Sequence, residues 1–388
     1  MIQRFPDSIF PLMTGMARQY GAVNLSQGFP DWPAPEAVKQ AAVRAINADL
    51  NQYAITSGAK NLRDALSSFY CAKYAMSVDP DRELTVCCGA TEASLAALLS
   101  TVTAGDEVII FEPFYETYGP QAILCGATPR YVSLHPNFSG AGGWELDRDE
   151  LRRAFNAKTR AIIINTPGNP TGKVFTRDEL QFVAELCIQH NVIAITDEIY
   201  EFITYDHHAH IPMATLPGMA GRTVTIGGMS KTFSVTGWRL GYCVASPEIT
   251  FNIRKAHEYM TVCAPAPMQE AAVAMLNLGD DYYAQLKADY TRKRNFLVGV
   301  LREVGFEVIE PEGTYYIITR FGKLRKGDED DMQFAARLVK EHGVACVPCS
   351  AFYADKDGHR DMVRFAFCKK DETLEEAAKR LRTLTNKK

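Results

Sequence analysis

The chain has little that would tie it to a membrane or to nucleic acid. Its longest apolar runs, such as Ala161-Ile162-Ile163-Ile164, are strand-sized. A membrane-spanning helix needs roughly 20 apolar residues, so none is expected. Lysine and arginine number 42 against 46 aspartates and glutamates, and no basic block disturbs that balance. Nucleic acid and anionic membrane are therefore not expected partners. Met1 to Tyr20 mixes Arg4, Asp7 and Arg18 with two prolines and has no continuous apolar core, which argues against a signal peptide. Internal repeats and low-complexity linkers are missing too. Cysteine is not scarce: there are ten, and several sit in apolar stretches, among them Cys87, Cys88, Cys187 and Cys243. Buried thiols fit a reducing compartment, and the expected location is the cytoplasm.

What is present is an ordinary globular composition, 47% apolar and 23% charged. At 388 residues the chain is long for a single core, and two domains are expected. From about Asn61 to Thr261, short apolar runs alternate with segments of helical spacing, the pattern of an α/β domain with a largely parallel sheet. The expected strands are Leu84 to Cys87, Glu107 to Phe111, Arg160 to Asn165, Val192 to Thr196 and Thr223 to Ile226. Beyond about Asp280, a long helix and further β runs read as a smaller α+β domain. The expected division is an N-terminal arm over 1–30 without regular period, associated with the small domain, a large domain over 31–280, and the small domain over 281–388.

The most informative segment is Ser230-Lys231-Thr232-Phe233-Ser234-Val235-Thr236-Gly237-Trp238-Arg239. A lysine is a compact, deprotonatable amine that can form a Schiff base, whereas arginine stays charged and binds phosphate oxygens with a planar fork. That division of labour suggests pyridoxal phosphate. Such a cofactor also needs a carboxylate for its ring nitrogen, a phosphate cup, a stacking surface, and a cation for the substrate carboxylate. Asp197 ends an apolar strand, with Tyr200 three residues on. A carboxylate at a strand tip faces the ligand crevice of an open α/β sheet, although it could equally cap a following helix.

Asn165-Thr166-Pro167-Gly168-Asn169-Pro170-Thr171-Gly172 follows another strand, in a composition that plain turns also use. Cys88-Gly89-Ala90-Thr91-Glu92 joins a strand to a helix and leaves free N–H groups, a ready anion site. Tyr115 could stack on a ring or simply fill the core. Arg364, among alternating apolar residues, needs a partner: a substrate carboxylate or an internal ion pair. Three look-alikes are set aside. Cys346-Val347-Pro348-Cys349 has redox spacing but reads as buried thiols. His207, His208 and His210 read as a solvated loop. Gly227 to Thr232 resembles a nucleotide P-loop, but Ser230 stands where that motif requires glycine.

In order along nearly the whole chain, these segments resemble the fold-type I, class I/II pyridoxal-phosphate aminotransferases, closest to methionine and kynurenine aminotransferases of the glutamine transaminase K type. Asn24 to Asp31, Asn51-Gln52-Tyr53, Glu112-Pro113-Phe114-Tyr115 and Val363-Arg364-Phe365 complete the match. The resemblance implies a large domain with a mostly parallel seven-stranded sheet and a smaller α+β domain. It implies that Lys231 holds pyridoxal 5'-phosphate and shuttles the proton, and that Asp197 pairs with the ring nitrogen. Asn169 and Tyr200 would donate to the phenolate oxygen, and Tyr115 would stack on the ring. Gly89, Ala90, Thr91, Ser230 and Arg239 would hold the phosphate. Arg364, Asn169 and the Gly28 backbone would take the substrate carboxylate. Tyr53 would reach a neighbouring subunit's phosphate in a homodimer with shared active sites, and no metal is implied.

The implied reaction passes an amino group from methionine, an aromatic or a related amino acid to a 2-oxo acid by a ping-pong mechanism. A carbon–sulfur β-lyase on the same residues is the alternative reading, and a non-enzymatic cofactor-binding regulator a more remote one. No second arginine for a distal carboxylate is evident, which disfavours an aspartate-specific enzyme. Trp32, Phe29, Tyr53 and Tyr115 suggest an aromatic pocket. One departure stands out: many relatives have serine three residues before the lysine, and this chain has Gly228, so weaker cofactor retention is expected.

Overall fold

The computed structural model describes residues 5, 7–139, 143–356 and 358–385. The chain opens with α1 (Ile9–Gln19), β1 (Val23–Asn24), α2 (Glu36–Asn47) and α3 (Lys60–Tyr74). Then comes the alternation expected from sequence: β2 (Leu84–Cys87), α4 (Ala90–Thr101), β3 (Glu107–Glu112), α5 (Tyr118–Leu124), β4 (Thr128–Asn137), β5 (Gly143–Leu146) and α6 (Arg148–Ala154). It continues through β6 (Thr159–Asn165), α7 (Arg177–His190), β7 (Ile193–Asp197), β8 (Thr223–Gly228) and β9 (Gly241–Val244). The remainder is α8 (Pro247–Thr261), α9 (Ala266–Leu276), α10 (Asp280–Val304), β10 (Glu307–Ile309), β11 (Tyr316–Arg320), α11 (Asp331–His342), β12 (Val344–Ala345), β13 (Val347–Pro348), β14 (Met362–Ala366) and α12 (Asp371–Leu381).

The main sheet runs β2-β9-β8-β7-β6-β3-β4-β5. Pairs among β8, β7, β6, β3 and β4 are parallel, while β9 runs against both its neighbours. These are the seven strands the family resemblance implies, and β5 adds an eighth as an antiparallel hairpin partner of β4. The central strands are buried except near their ends, which explains their Ile and Val runs: helices cover both faces, and no strand needs a polar side. Local chemistry sets the helix starts. Thr176 and Glu179 form a capping box at α7, and Asp147 accepts from the amides of Asp149 and Glu150 at α6.

The second sheet, β10-β11-β14-β13, is antiparallel throughout and packs with α10 and α11, while α12 packs on α10. The N-terminal segment is more regular than expected. Ser8 caps α1, and Ile9, Met13 and Ala17 form its buried stripe at four-residue spacing. Pro11 obscures this helix in the sequence, yet it falls in the first turn, where no intrahelical donor is required. β1 pairs in parallel with β12 as a separate two-stranded sheet, and the Ala366 amide of β14 donates to the Leu25 carbonyl, which ties the segment to the smaller sheet. Among the described residues no helix is long and apolar enough to cross a membrane.

Candidate active site

The parallel strands β6, β7 and β8 end side by side, with Asn165 in register with Asp197 and Asp197 with Ile226. Their C-terminal tips open into a cavity of about 280 Å³. Asp197, Tyr200, Asn169, Lys231, Ser230, Arg239, Ala90, Thr91, Tyr115 and Gly28, named separately from the sequence, all line it.

Asp197 does not cap a helix: a turn follows it, and its carboxylate is buried. Its Oδ2 accepts from the Tyr118 hydroxyl at 2.7 Å and its Oδ1 from the Ile199 amide at 3.3 Å. Burial pushes its titration up, while those two donors and Lys231 pull it down. A cation at this carboxylate would hold it ionised, which is what a protonated ring nitrogen is. Asn165 braces the neighbouring loop, donating to the Asp197 carbonyl at 2.9 Å and accepting from the Asn169 amide at 2.6 Å.

Burial lowers the Lys231 amine to about 8, with Arg239 and Arg364 adding to the effect and Cys368 and Asp197 opposing it. Desolvation, rather than neighbouring cations, is therefore the chief cause of its availability as a neutral amine. Its Nζ donates to the Gly28 carbonyl at 3.2 Å, and the Tyr315 hydroxyl donates to the same oxygen at 2.8 Å.

The junction between β2 and α4 is a cradle. Gly89 has φ +85, and a Cβ there would meet Arg239 Nη2 at 2.5 Å. A Cβ on Gly241 would meet the Ala90 amide nitrogen at 2.5 Å. Two glycines thus keep the space at the α4 N-terminus open to the Ala90 and Thr91 amides, the Ser230 hydroxyl and the Arg239 guanidinium. That donor set suits a phosphate.

Arg364 is fully buried on β14. Its Nη1 donates to Asn169 Oδ1 at 2.8 Å and its Nη2 to the Ser26 carbonyl at 2.9 Å, while Nε is buried without a partner. The rings of Tyr316, Phe352 and Phe10 lie 4.1, 4.9 and 5.3 Å from its guanidinium. Its two hydrogen-bond partners, from Asn169 and Ser26, are neutral oxygens, and among the described residues it makes no ion pair, so the internal salt bridge is not its role. A buried guanidinium with an orphaned donor calls for an external carboxylate.

Four expectations need correction or a different placing. Trp32 does not line the cavity; it packs on Tyr290 with ring centroids 5.4 Å apart and under the Lys293 ammonium at 5.1 Å. Tyr53 is 82% exposed and lies outside the cavity of this chain. His210 is not solvated: its Nε2 sits 2.8 Å from Glu198 Oε2, with both side chains buried. The pull is electrostatic, since burial alone would lower its pKa and Glu198 with Glu201 raises it. Arg239 stands at the exposed mouth of the cavity, its Nη1 donating to the Thr236 carbonyl. Cys346 and Cys349 are buried free thiols, as expected. The sequence reading missed Tyr118, Phe10 and Tyr316; for Tyr118 the proximity to Tyr115 one turn away was the only available signal.

An amine lowered by burial, a strand-tip carboxylate, an anion cradle and an unpaired buried arginine together define a pyridoxal-phosphate site. Residues 20–381 match the model of the aminotransferase class I and II family, and the chain belongs to that family. It is a pyridoxal-phosphate-dependent aminotransferase. A human kynurenine–oxoglutarate transaminase is 37% identical, with 95% of this chain and 93% of that protein aligned. The methionine aminotransferase of Escherichia coli is 36% identical over 97% of this chain and 96% of the relative. The solved N-succinyldiaminopimelate aminotransferase of Mycobacterium tuberculosis superposes with a TM-score of 0.95 at 40% identity, covering 99% of this chain and 98% of that one.

Proposed function

We propose that the chain moves the amino group of methionine, aromatic or related neutral-side-chain amino acids to a 2-oxo acid. The supporting observation is the cavity lining: Phe10, Phe29 and Tyr115 give it aromatic surface, the Phe10 ring lies 5.3 Å from the Arg364 guanidinium, and among the described lining residues Lys231 and Arg239 are the only cations. Arg364 is already committed to the α-carboxylate in this reading, which leaves a distal carboxylate without a partner.

Pyridoxal phosphate, when bound, supplies the electron sink that makes the α-hydrogen of an amino acid acidic. The chain's residues do the rest. Lys231, whose amine is lowered to about 8 and so has a larger neutral fraction than an ordinary lysine, would take and return a proton at its Nζ. Asp197 would hold positive charge at the ring nitrogen, Asn169 and Tyr200 would donate to the phenolate oxygen, and Tyr115 would stack on the ring. Gly89, Ala90, Thr91, Ser230 and Arg239 would hold the phosphate. Arg364, Asn169 and the Gly28 backbone would hold the substrate carboxylate.

Several finer points belong to the same proposal. The division into an arm over 1–30, a large domain over 31–280 and a small domain over 281–388 is supported by the β1–β12 pairing and by the second sheet lying wholly within 307–366. A homodimer is supported by the exposed Tyr53, Ile55, Tyr259 and Val262, with Tyr53 completing the partner's phosphate cup. A cytoplasmic location is supported by ten cysteines that are all free thiols.

A second reading has an observation of its own. The 40% identity to the N-succinyldiaminopimelate aminotransferase favours a bulky acylated donor with further carboxylates. An amino-donor panel with several 2-oxo acids decides. Preference for methionine, phenylalanine or kynurenine supports the proposal, and preference for N-succinyldiaminopimelate overturns it. Pyruvate and ammonia from a cysteine conjugate without any 2-oxo acid would instead establish the β-lyase.

A further inference from the structure

Tyr316 is the first residue of β11, and in the antiparallel ladder it faces Ala366 while Ile318 faces Arg364. Tyr316 and Arg364 are thus diagonal neighbours on one face of the sheet, which lays the guanidinium over the ring at 4.1 Å. The far end of the same ring reaches across to the main sheet, where its hydroxyl lies 3.1 Å from the Tyr200 hydroxyl. Gly28 makes this possible, because a Cβ there would overlap the Tyr316 hydroxyl. The side chain is 3% exposed and lines the cavity.

We propose that Tyr316 is a positioning residue that serves both ends of the site, its hydroxyl backing Tyr200 and its ring carrying Arg364. The proposal rests on the cofactor reading above. Two hydroxyls share one hydrogen bond, and either oxygen can donate. Once Tyr200 commits its proton to an anionic oxygen on the cofactor, the bond between the tyrosines has one direction left: Tyr316 donates to Tyr200. Chained donors polarise one another, so Tyr200 becomes the stronger donor for having Tyr316 behind it. The ring contributes separately. A cation held over a desolvated aromatic face is stabilised without being neutralised, which leaves Arg364 free to receive a carboxylate. The titratable or charged groups that face Tyr316 are Tyr115, Tyr200, Tyr290, Tyr315, Arg364 and Cys368. Arg364 alone among them is a permanent charge.

Two substitutions separate the two contributions, read on the holoenzyme. Tyr316→Phe keeps the ring and removes the hydroxyl. The pH midpoint of the bound cofactor's visible absorbance should then rise by a few tenths of a unit, as expected from losing ~10–30% polarisation of a charge-assisted bond. Affinity for 3-phenylpropionate, a probe with a carboxylate and no amine, should stay within about twofold. Tyr316→Leu removes both features, and the probe's Kd should rise roughly tenfold or more, in line with a buried cation–π contact. The absorbance shift must also disappear in a Tyr200→Phe background, since Tyr316 is held to act through Tyr200. An unshifted midpoint in Tyr316→Phe, or an undiminished shift in the Tyr200→Phe background, overturns the proposal. Should Tyr316→Leu fail to fold, the phenylalanine pair still decides. A wild-type protein with no lysine-dependent absorbance band would instead bring down the cofactor reading, and this proposal with it.

Discussion

Glu201→Gln should flatten the dependence of stability on pH. Glu201 follows the Asp197–Tyr200 turn, and the Tyr74 hydroxyl of α3 donates to its carboxylate. Burial lifts its titration from 4.5 to about 7, with Glu198 adding to the rise and His210, Tyr74 and Lys73 opposing it. A carboxyl lifted in this way is more comfortable folded when protonated. Its contribution to stability is therefore present below the unfolded value of 4.5 and is lost as pH climbs through about 7. The full loss corresponds to about 3 kcal/mol, of which about 2 falls between pH ~5.5 and ~8.5. His210 adds to the slope in the same direction, because its pKa is raised by Glu198 and by Glu201 itself. Glutamine keeps the shape and still accepts from Tyr74 but cannot ionise. Urea unfolding of the wild type and Glu201→Gln across that pH range should show the variant gaining about 2 kcal/mol relative to wild type as pH rises. Parallel stability profiles would refute the reasoning, since they would mean that Glu201 titrates normally in the folded chain.

Lys231→Ala should still bind pyridoxal phosphate but lose transamination, and normal turnover would sink the assignment. In the wild-type apoprotein the rate of cofactor capture, followed by stopped-flow absorbance, should rise with pH around a midpoint of about 8, because the neutral amine is the nucleophile; a midpoint near the ordinary lysine value would refute this. Gly228→Ser should slow cofactor dissociation by adding a hydroxyl to the cup. The added Cβ would sit 3.2 Å from Ile199 Cδ1, a side-chain end that can turn aside, and 3.3 Å from the Leu240 carbonyl oxygen, which must give by a few tenths of an ångström; an unchanged or faster off-rate would contradict the expected weakness at Gly228. Arg364→Lys should raise KM for the amino acid by about tenfold or more through loss of the two-pronged fork; an unchanged KM would remove Arg364 from the carboxylate site.

What could be read in the sequence follows a physical pattern. Asp197 and Arg364 were legible because a charge at the tip or middle of an apolar strand demands an explanation. The parallel core was legible because strands buried on both faces have no polar side. His210 was not, since a polar-looking loop is drawn inside by Glu198, whose own burial appears only when β7 is placed. Tyr118 and Tyr316 were hidden among 17 tyrosines. A tyrosine that fills the core and one that hands a proton to a neighbour are spelled alike, and only the 2.7 Å and 3.1 Å oxygen distances tell them apart. Trp32 failed in the opposite direction: adjacency to Phe29 in sequence did not carry it into the cavity.

The machinery is split between two sheets. Lys231 and Asp197 stand at the tips of the eight-stranded sheet, while Arg364 and Tyr316 belong to the four-stranded one, to which the Leu25 backbone is also sewn through Ala366. In the proposed reading, an amino acid held at its carboxylate by one sheet and at its amino end by the other would span the gap between them. Both gripped groups sit on one carbon, so that span is the same for every α-amino acid, and the lean of one sheet on the other sets the room left for its side chain. Substitutions at that seam could retune substrate preference while leaving every reacting group in place.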